Sequence, residues 1–417
     1  MSGSARGKSL GQRLNDFLLA LIALEHRVDP LFRDGFNALF QGPLVSLVQA
    51  LIRLRHPSRE TSPCQEIPVP EEERITAEIA IEMGRFLETE YRGKIAERAG
   101  NTKTYGVVRG EMEVLSEVPA DLKRGVFGAP ARFPAWIRFG GPGPLSPPDV
   151  EDAGILSIGV KLMGVPGPKL LDERATQDFL GISCPTFTTP DIVENLKLQR
   201  HIGAGTPTLY FFDPRDPHYL DALMQGLFAR MNRNPLFTRY FSCVPYLCGP
   251  GLAVKYSIRP LEPERTRIPW RIPDDWLRQA MAATLERRGV EMELALQRQG
   301  DPRRMPVENA AIAWSERHSP FVPVARIAIP QQRFTSPAQL AFARRLAFNP
   351  WHCVEAHRPL GNQNRARRTL YAELSRLRQA MNREPLVEPD GSETFPASPL
   401  SAGNAGEPPA SLRKGSA

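Results

Sequence analysis

No C-x-x-C pair occurs in the 417 residues, and the five cysteines, Cys64, Cys184, Cys243, Cys248 and Cys353, are odd in number. A zinc site and a disulfide framework are both without support, and free buried thiols in a reducing cytosol are the plain expectation. The chain also lacks G-x-S-x-G, a Walker loop and G-x-G-x-x-G. Nothing therefore points to a serine-hydrolase elbow, a phosphate-cradling loop or a dinucleotide fold. Basic residues exceed acidic ones by seven but form no single run, which counts against nucleic acid as a partner. No internal repeat is visible. Two apolar segments, residues 14–24 and 38–54, each fall short of the roughly 20 apolar residues that a bilayer span needs. Asn15 and Asp16 interrupt a signal-peptide reading, and no A-x-A-like cleavage site stands out.

Proline is abundant, with 41 residues, so many loops are expected and few long helices. Residues 71–90 carry an apolar stripe at helical spacing, made by Ile75, Ile79, Ile81, Met83, Phe86 and Leu87. Strand patterns follow at 107–114, 135–139, 155–163, 179–182, 252–258, 292–296 and 322–329, separated by Pro and Gly clusters. Helical patterns cover 190–201, 219–231, 274–288 and 337–346. So many strands with long connections suggest an antiparallel barrel. Residues 1–9 and 385–417 are expected to be disordered, the latter from their Pro, Ser, Gly and Ala content. The apolar arm before the Pro-rich connector at 57–70 has two readings: helices packed on the core or a second subunit, or helices lying in a membrane interface with Arg53 and Arg55 near headgroups.

Residues 365–378, R-A-R-R-T-L-Y-A-E-L-S-R-L-R, are good helix formers without Gly or Pro. Arg367 and Tyr371 are four apart and share a helix face. A guanidinium beside a phenol favours the phenolate. Alone, R-x-x-x-Y is more simply a tyrosine packed on the core with an arginine stem across it.

Other stretches change that balance. The segment resembles the proximal-ligand helix of the haem catalases, R-x-x-x-Y followed by an Arg. Residues 348–352, F-N-P-W-H, resemble that family's F-H-P-G-H, and residues 321–330, F-V-P-V-A-R-I-A-I-P, resemble the stretch before it. Order and spacing agree over residues 95–380, with most similarity to a bacterial catalase-like branch related to enzymes of fatty-acid hydroperoxide metabolism. The resemblance implies an α+β fold: a catalase-like antiparallel β-barrel with surrounding helices, here with an additional helical N-terminal arm. It implies an arm and connector at 1–70, a haem-binding core at 71–384 and a tail at 385–417.

It also implies haem b, with ferric iron held by the phenolate of Tyr371 and Arg367 beside it. Arg98, in R-A-G-N, and Arg138, in P-A-W-I-R-F, match two arginines that grip the haem propionates. The third is either Arg376, by the local string S-R-L, or Arg378, by the seven-residue spacing from Tyr371. Two distal positions are altered. Asn101 stands where the family has its histidine, and Ser183 where it has an asparagine; Thr102 adjoins the first. An amide cannot shuttle a proton near neutral pH. Three functions follow from the resemblance: a haem enzyme acting on organic or lipid hydroperoxides with weak peroxide dismutation, a catalase with an atypical distal site, or a haem protein without turnover. By analogy with the family a homo-oligomer is expected, in the cytoplasm or peripheral to a membrane. His352 reads as a hydrogen-bonded core residue, or as an iron ligand if the register differs.

Overall fold

The computed structural model describes residues 8–395. Its strands are β1 (Thr104–Val114), β2 (Arg132–Gly140), β3 (Ser157–Leu162), β4 (Gln177–Ile182), β5 (Tyr240–Phe241), β6 (Tyr246–Leu247), β7 (Ala253–Pro260), β8 (Val290–Arg298) and β9 (Val322–Ile329). All pairings between them are antiparallel. β1 to β5 follow one another around a ring, β5 pairs with β7, and β8 and β9 return to β1. The result is a closed eight-stranded barrel, with β6 attached outside it to β7. Closure leaves the ring itself without a free edge.

Val108, Met112, Ile137, Phe139, Ile158 and Val160 fill the interior and are all fully or almost fully buried. β3 is buried along its whole length because the non-helical segment around Phe348 and His352 covers its outer face as well. That is why its sequence reads as a run rather than an alternation. β5 is only two residues long and shows no periodicity, yet it closes the ring through Ile182–Phe241 and Tyr240–Ile258.

The helices are α1 (Leu10–Phe36), α2 (Gly42–Arg55), α3 (Glu72–Glu90), α4 (Ile192–Gly203), α5 (Leu209–Phe212), α6 (Tyr219–Phe228), α7 (Trp276–Leu285), α8 (Pro337–Arg345) and α9 (Asn362–Asn382). The two apolar N-terminal segments are not separate helices. A π-helical turn, Asn37–Gln41, joins α1 to α2 in one 46-residue helical run that continues through Pro30. The charged residues between them do not break the helix because Asp29 and Arg33 pair four apart, at 2.5 Å, on its inner face.

α3 and α9 pack against one another outside the barrel. Arg365, at the start of α9, bonds Glu66 of the connector at 2.7 Å, Glu72 of α3 at 2.6 Å and Glu308 at 2.8 Å. One guanidinium therefore fastens three otherwise distant segments. Residues 385–395 also lie along the barrel. Glu388 accepts from the backbone N–H groups of Arg174 and Ala175, and Glu393 accepts from the Trp136 indole at 2.9 Å. Expectations for residues 1–7 and 396–417 fall outside the described residues.

The Glu66 carboxyl is held below its usual range; burial opposes this, but bonds from Arg358, the Gly361 N–H and Arg365 outweigh it. A depressed carboxyl contributes stability above its ordinary value of 4.5, lost as pH falls through the lower folded value. Arg365→Met is expected to cost on the order of 3 kcal/mol at pH 7, because three carboxylates lose their shared cation. Urea melts should show that cost shrinking below pH 4.5, the ordinary glutamate value. An equal cost at both pH values would contradict this role.

Candidate functional site

α9 stays helical without a break from Asn362 to Asn382, so Arg367, Tyr371 and Arg378 recur along one face at spacings of four and seven residues. Arg367 is buried. Its guanidinium lies 5.9 Å from the centre of the Tyr371 ring and 4.9 Å from that of Phe187, and it donates to Asn364 at 3.1 Å. Burial works against the Arg367 charge, but Tyr371, then Tyr246, Cys243 and Tyr256, hold it above the usual arginine value. Tyr371 is half-buried and packs on the apolar cluster that joins α3, α4 and α9.

Two turns further along, Arg378 is buried and Arg376 is not. Arg376 is 55 % exposed and meets Asp172 at 3.3 Å on the surface. Arg378 donates to the Leu346 carbonyl at 3.3 Å, and its Nε finds no partner. Arg98 donates to that same carbonyl at 2.5 Å and to the Ala343 carbonyl at 3.0 Å; its Nη1 is buried without a partner. Arg138 spans the backbone carbonyls of Asn101, at 2.5 Å, and Thr102, at 3.2 Å, and the Thr104 hydroxyl at 2.8 Å.

Arg138 folds back over Gly140. A Cβ there would sit 2.7 Å from the Lys103 carbonyl, 2.8 Å from Nη1 and 2.9 Å from Nη2, so the glycine makes room for both the neighbouring backbone and the guanidinium. The role of the Thr104 hydroxyl went unseen, having no signal beyond its place at the start of β1.

Arg98, Arg138 and Arg378 thus converge, and none pairs with an acid among the described residues. Burial pushes all three pKa values down, and repulsion from neighbouring arginines adds to it for Arg98 and Arg138: Arg98 lies well below the ordinary value, and Arg138 and Arg378 at about 10. Glu97 favours their charge from further away. Three clustered cations with two orphaned N–H groups are costly unless an anion joins them. The donor set fits the two carboxylates of a propionate-bearing porphyrin, since guanidinium groups bind such groups in charge-assisted pairs. Tyr371, with Arg367 beside it on the same helix face, offers an oxygen that could bind the porphyrin's metal.

The altered positions are occupied otherwise. Asn101 adopts a left-handed backbone with φ +49° and gives its carbonyl to Arg138. The Thr102 hydroxyl, fully buried, donates to the Arg98 carbonyl at 2.6 Å. The Ser183 oxygen accepts from the Leu156 N–H at 2.9 Å. Asn101 and Thr102 therefore adjoin the arginine cluster, whereas Ser183 directly follows β4 and leads into Phe187 beside Arg367.

Lys161 was not singled out in the sequence, because its partners are remote along the chain. It is fully buried on the outer face of β3 and meets Asp178 at 2.8 Å, together with Glu173 and His352. Burial opposes its charge, but Asp178 and Glu173 hold its pKa above the usual value. Glu173, Asp178 and His352 have the spacing of a metal site, but the ammonium group already supplies the cation. His352 bonds Asp178 and Asp172, each at 3.0 Å, and so is a hydrogen-bonded core residue.

No family model and no curated protein matches the chain. Solved structures of catalases do. A fungal catalase aligns with a TM-score of 0.56 and 13% identity over 71% of this chain. Catalase A from Saccharomyces cerevisiae gives 0.57 and 14% over 76%, and a bacterial catalase 0.52 and 16% over 81%. The chain spans 62%, 70% and 69% of those proteins in turn.

The cluster gives a test independent of any ligand. Arg378→Leu should leave the ligand-free chain as stable, or more stable by up to about 2 kcal/mol, since it relieves buried like charge. Arg376→Leu should change the unfolding free energy little, by about 0.5 kcal/mol or less. Marked destabilisation by Arg378→Leu would show that the guanidinium is a structural strut. With its barrel, its flanking helices and the order of its strands, the chain has the fold of the catalases.

Proposed function

We propose that this chain is a catalase-related haem protein that acts on organic or lipid hydroperoxides and dismutates hydrogen peroxide poorly. The observation that carries the reading is the convergence of Arg98, Arg138 and Arg378 without an acid partner, alongside the helix face that presents Arg367 and Tyr371. In this reading the three arginines would hold the propionates, and Tyr371, with Arg367 beside it, would supply an oxygen ligand to the iron. When bound, a ferric haem would supply the Lewis-acidic iron at which a peroxide O–O bond is cleaved.

What the chain's own residues do on the opposite side decides the substrate. Dismutation needs a group that takes a proton from one peroxide oxygen and delivers it to the other. Asn101 carries an amide, which donates and accepts hydrogen bonds without changing protonation near neutral pH. The Thr102 proton is committed to the Arg98 carbonyl, and the Ser183 oxygen is engaged by the Leu156 N–H. These groups can orient a peroxide but cannot relay its proton. Homolysis of an organic hydroperoxide's O–O bond moves no proton between its two oxygens, so rearrangement of such a substrate does not need this relay.

Haem-loaded protein should consume a fatty-acid hydroperoxide, read as loss of its conjugated-diene absorbance, while releasing little oxygen from hydrogen peroxide. Asn101→His should raise oxygen release by about 10²-fold or more, the ordinary worth of a positioned acid–base group. Oxygen release by the unaltered chain at the rate of an ordinary catalase would overturn the reading. Inertness toward both peroxides would favour a haem protein without turnover.

A further inference from the structure

We infer that the outward face of the Leu10–Arg55 helix lies in the headgroup region of an anionic lipid bilayer. This inference rests on the N-terminal arm and is independent of any haem chemistry. The helix is amphipathic in the reverse sense of a docked helix in a water-soluble protein. The buried residues of α1 are all polar: Asn15, His26, Asp29 and Arg33. Its large apolar residues face outward, with Leu10 84%, Phe17 58%, Leu24 57% and Leu31 83% exposed. Leu39, Phe40 and Leu54 continue the exposed apolar surface along the run.

The polar face is bonded to the body of the protein. Asn15 accepts from the Thr208 N–H at 3.0 Å and hydroxyl at 2.8 Å. Asp29 accepts from the Met231 N–H at 2.8 Å, and Arg33 donates to the Ala229 carbonyl. In α2, Gln49 bonds the Ala311 carbonyl at 3.1 Å and the Ala313 N–H at 2.9 Å. These contacts fix which side is inside, so the exposure of the leucines is set by the docking and not by a loose arm. They also exclude a span across the bilayer, which would place Asp29 and Arg33 against hydrocarbon. A helix lying in the plane keeps its polar side on the protein and buries its apolar side in lipid.

Charge selects the occupant. The acidic side chains of the run are already paired: Asp16 with Lys8, Glu25 and Asp29 with Arg33, and Asp34 with Arg233. Arg13, Arg27 and Arg55 are exposed and have no acidic partner among the described residues. A second copy of this face would bring more unpaired arginines and no unpaired acid, since the acidic side chains of its own run are engaged in the same way. Anionic headgroups supply the missing counter-charge.

Flotation of the full-length chain with vesicles tests this, using phosphatidylcholine alone and phosphatidylcholine mixed with phosphatidylglycerol. The variant Leu24→Glu/Leu31→Glu, both at exposed positions, serves as the control, with its fold checked by near-UV circular dichroism. The chain should float with the anionic vesicles, by at least about tenfold over the neutral ones, and high salt should weaken this. The folded variant should lose flotation by about tenfold or more. Failure to float with anionic vesicles would overturn the inference, as would equal flotation of the folded variant. So would an oligomer in sedimentation that the variant dissociates, because that would make the face an interface between copies.

Discussion

Arginine held beside arginine, out of water and without an acid, is the constraint around which this structure is arranged. Arg98, Arg138 and Arg378 come from three remote parts of the chain, and two of them share a single carbonyl, that of Leu346. Folding alone gains little from such a cluster, since desolvation and repulsion both oppose it. Its cost becomes intelligible if the native state of the working protein includes an anion at this place. The same reasoning separates this cluster from the one around Lys161, where carboxylates balance the buried cation within the chain itself.

The barrel is what holds the three guanidinium groups in register. Arg138 projects from the outer face of β2, where Gly140 leaves space for it and Thr104 at the start of β1 accepts from it. Arg98 lies just before β1, and the end of α8 delivers the Ala343 carbonyl to it and the Leu346 carbonyl that it shares with Arg378. α9 adds Arg367, Tyr371 and Arg378 on one face because nothing interrupts its 21 residues. Arg365 then ties that helix to the connector and to α3. A rigid sheet and one unbroken helix thus position groups that the sequence scatters over nearly 300 residues.

Much of this architecture was legible in the chain, for identifiable reasons. The longer strands alternate or run apolar, and α9 has neither Gly nor Pro, so local pattern and tertiary structure agree. β5 was invisible because two residues carry no period. The choice between Arg376 and Arg378 could not be settled by a local string, because S-R-L suggests one residue and helical geometry the other. Seven residues are nearly two full turns, whereas five turn the side chain toward the far side, where Arg376 meets Asp172. The N-terminal arm read as two apolar segments because the intervening charges looked like a break. They are instead the inward face of one helix, satisfied by one another and by backbone groups. The Lys161 cluster was hidden because its partners lie 12, 17 and 191 residues away.

The most direct measurement is a titration of ferric haem into the purified ligand-free chain, followed by visible absorbance, alongside the double variant Arg98→Leu/Arg378→Leu. The account predicts saturable one-to-one binding, weakened by about 10²-fold or more in the double variant, whose carboxylate partners are gone. Absence of saturable binding, or equally tight binding by the variant, would contradict it.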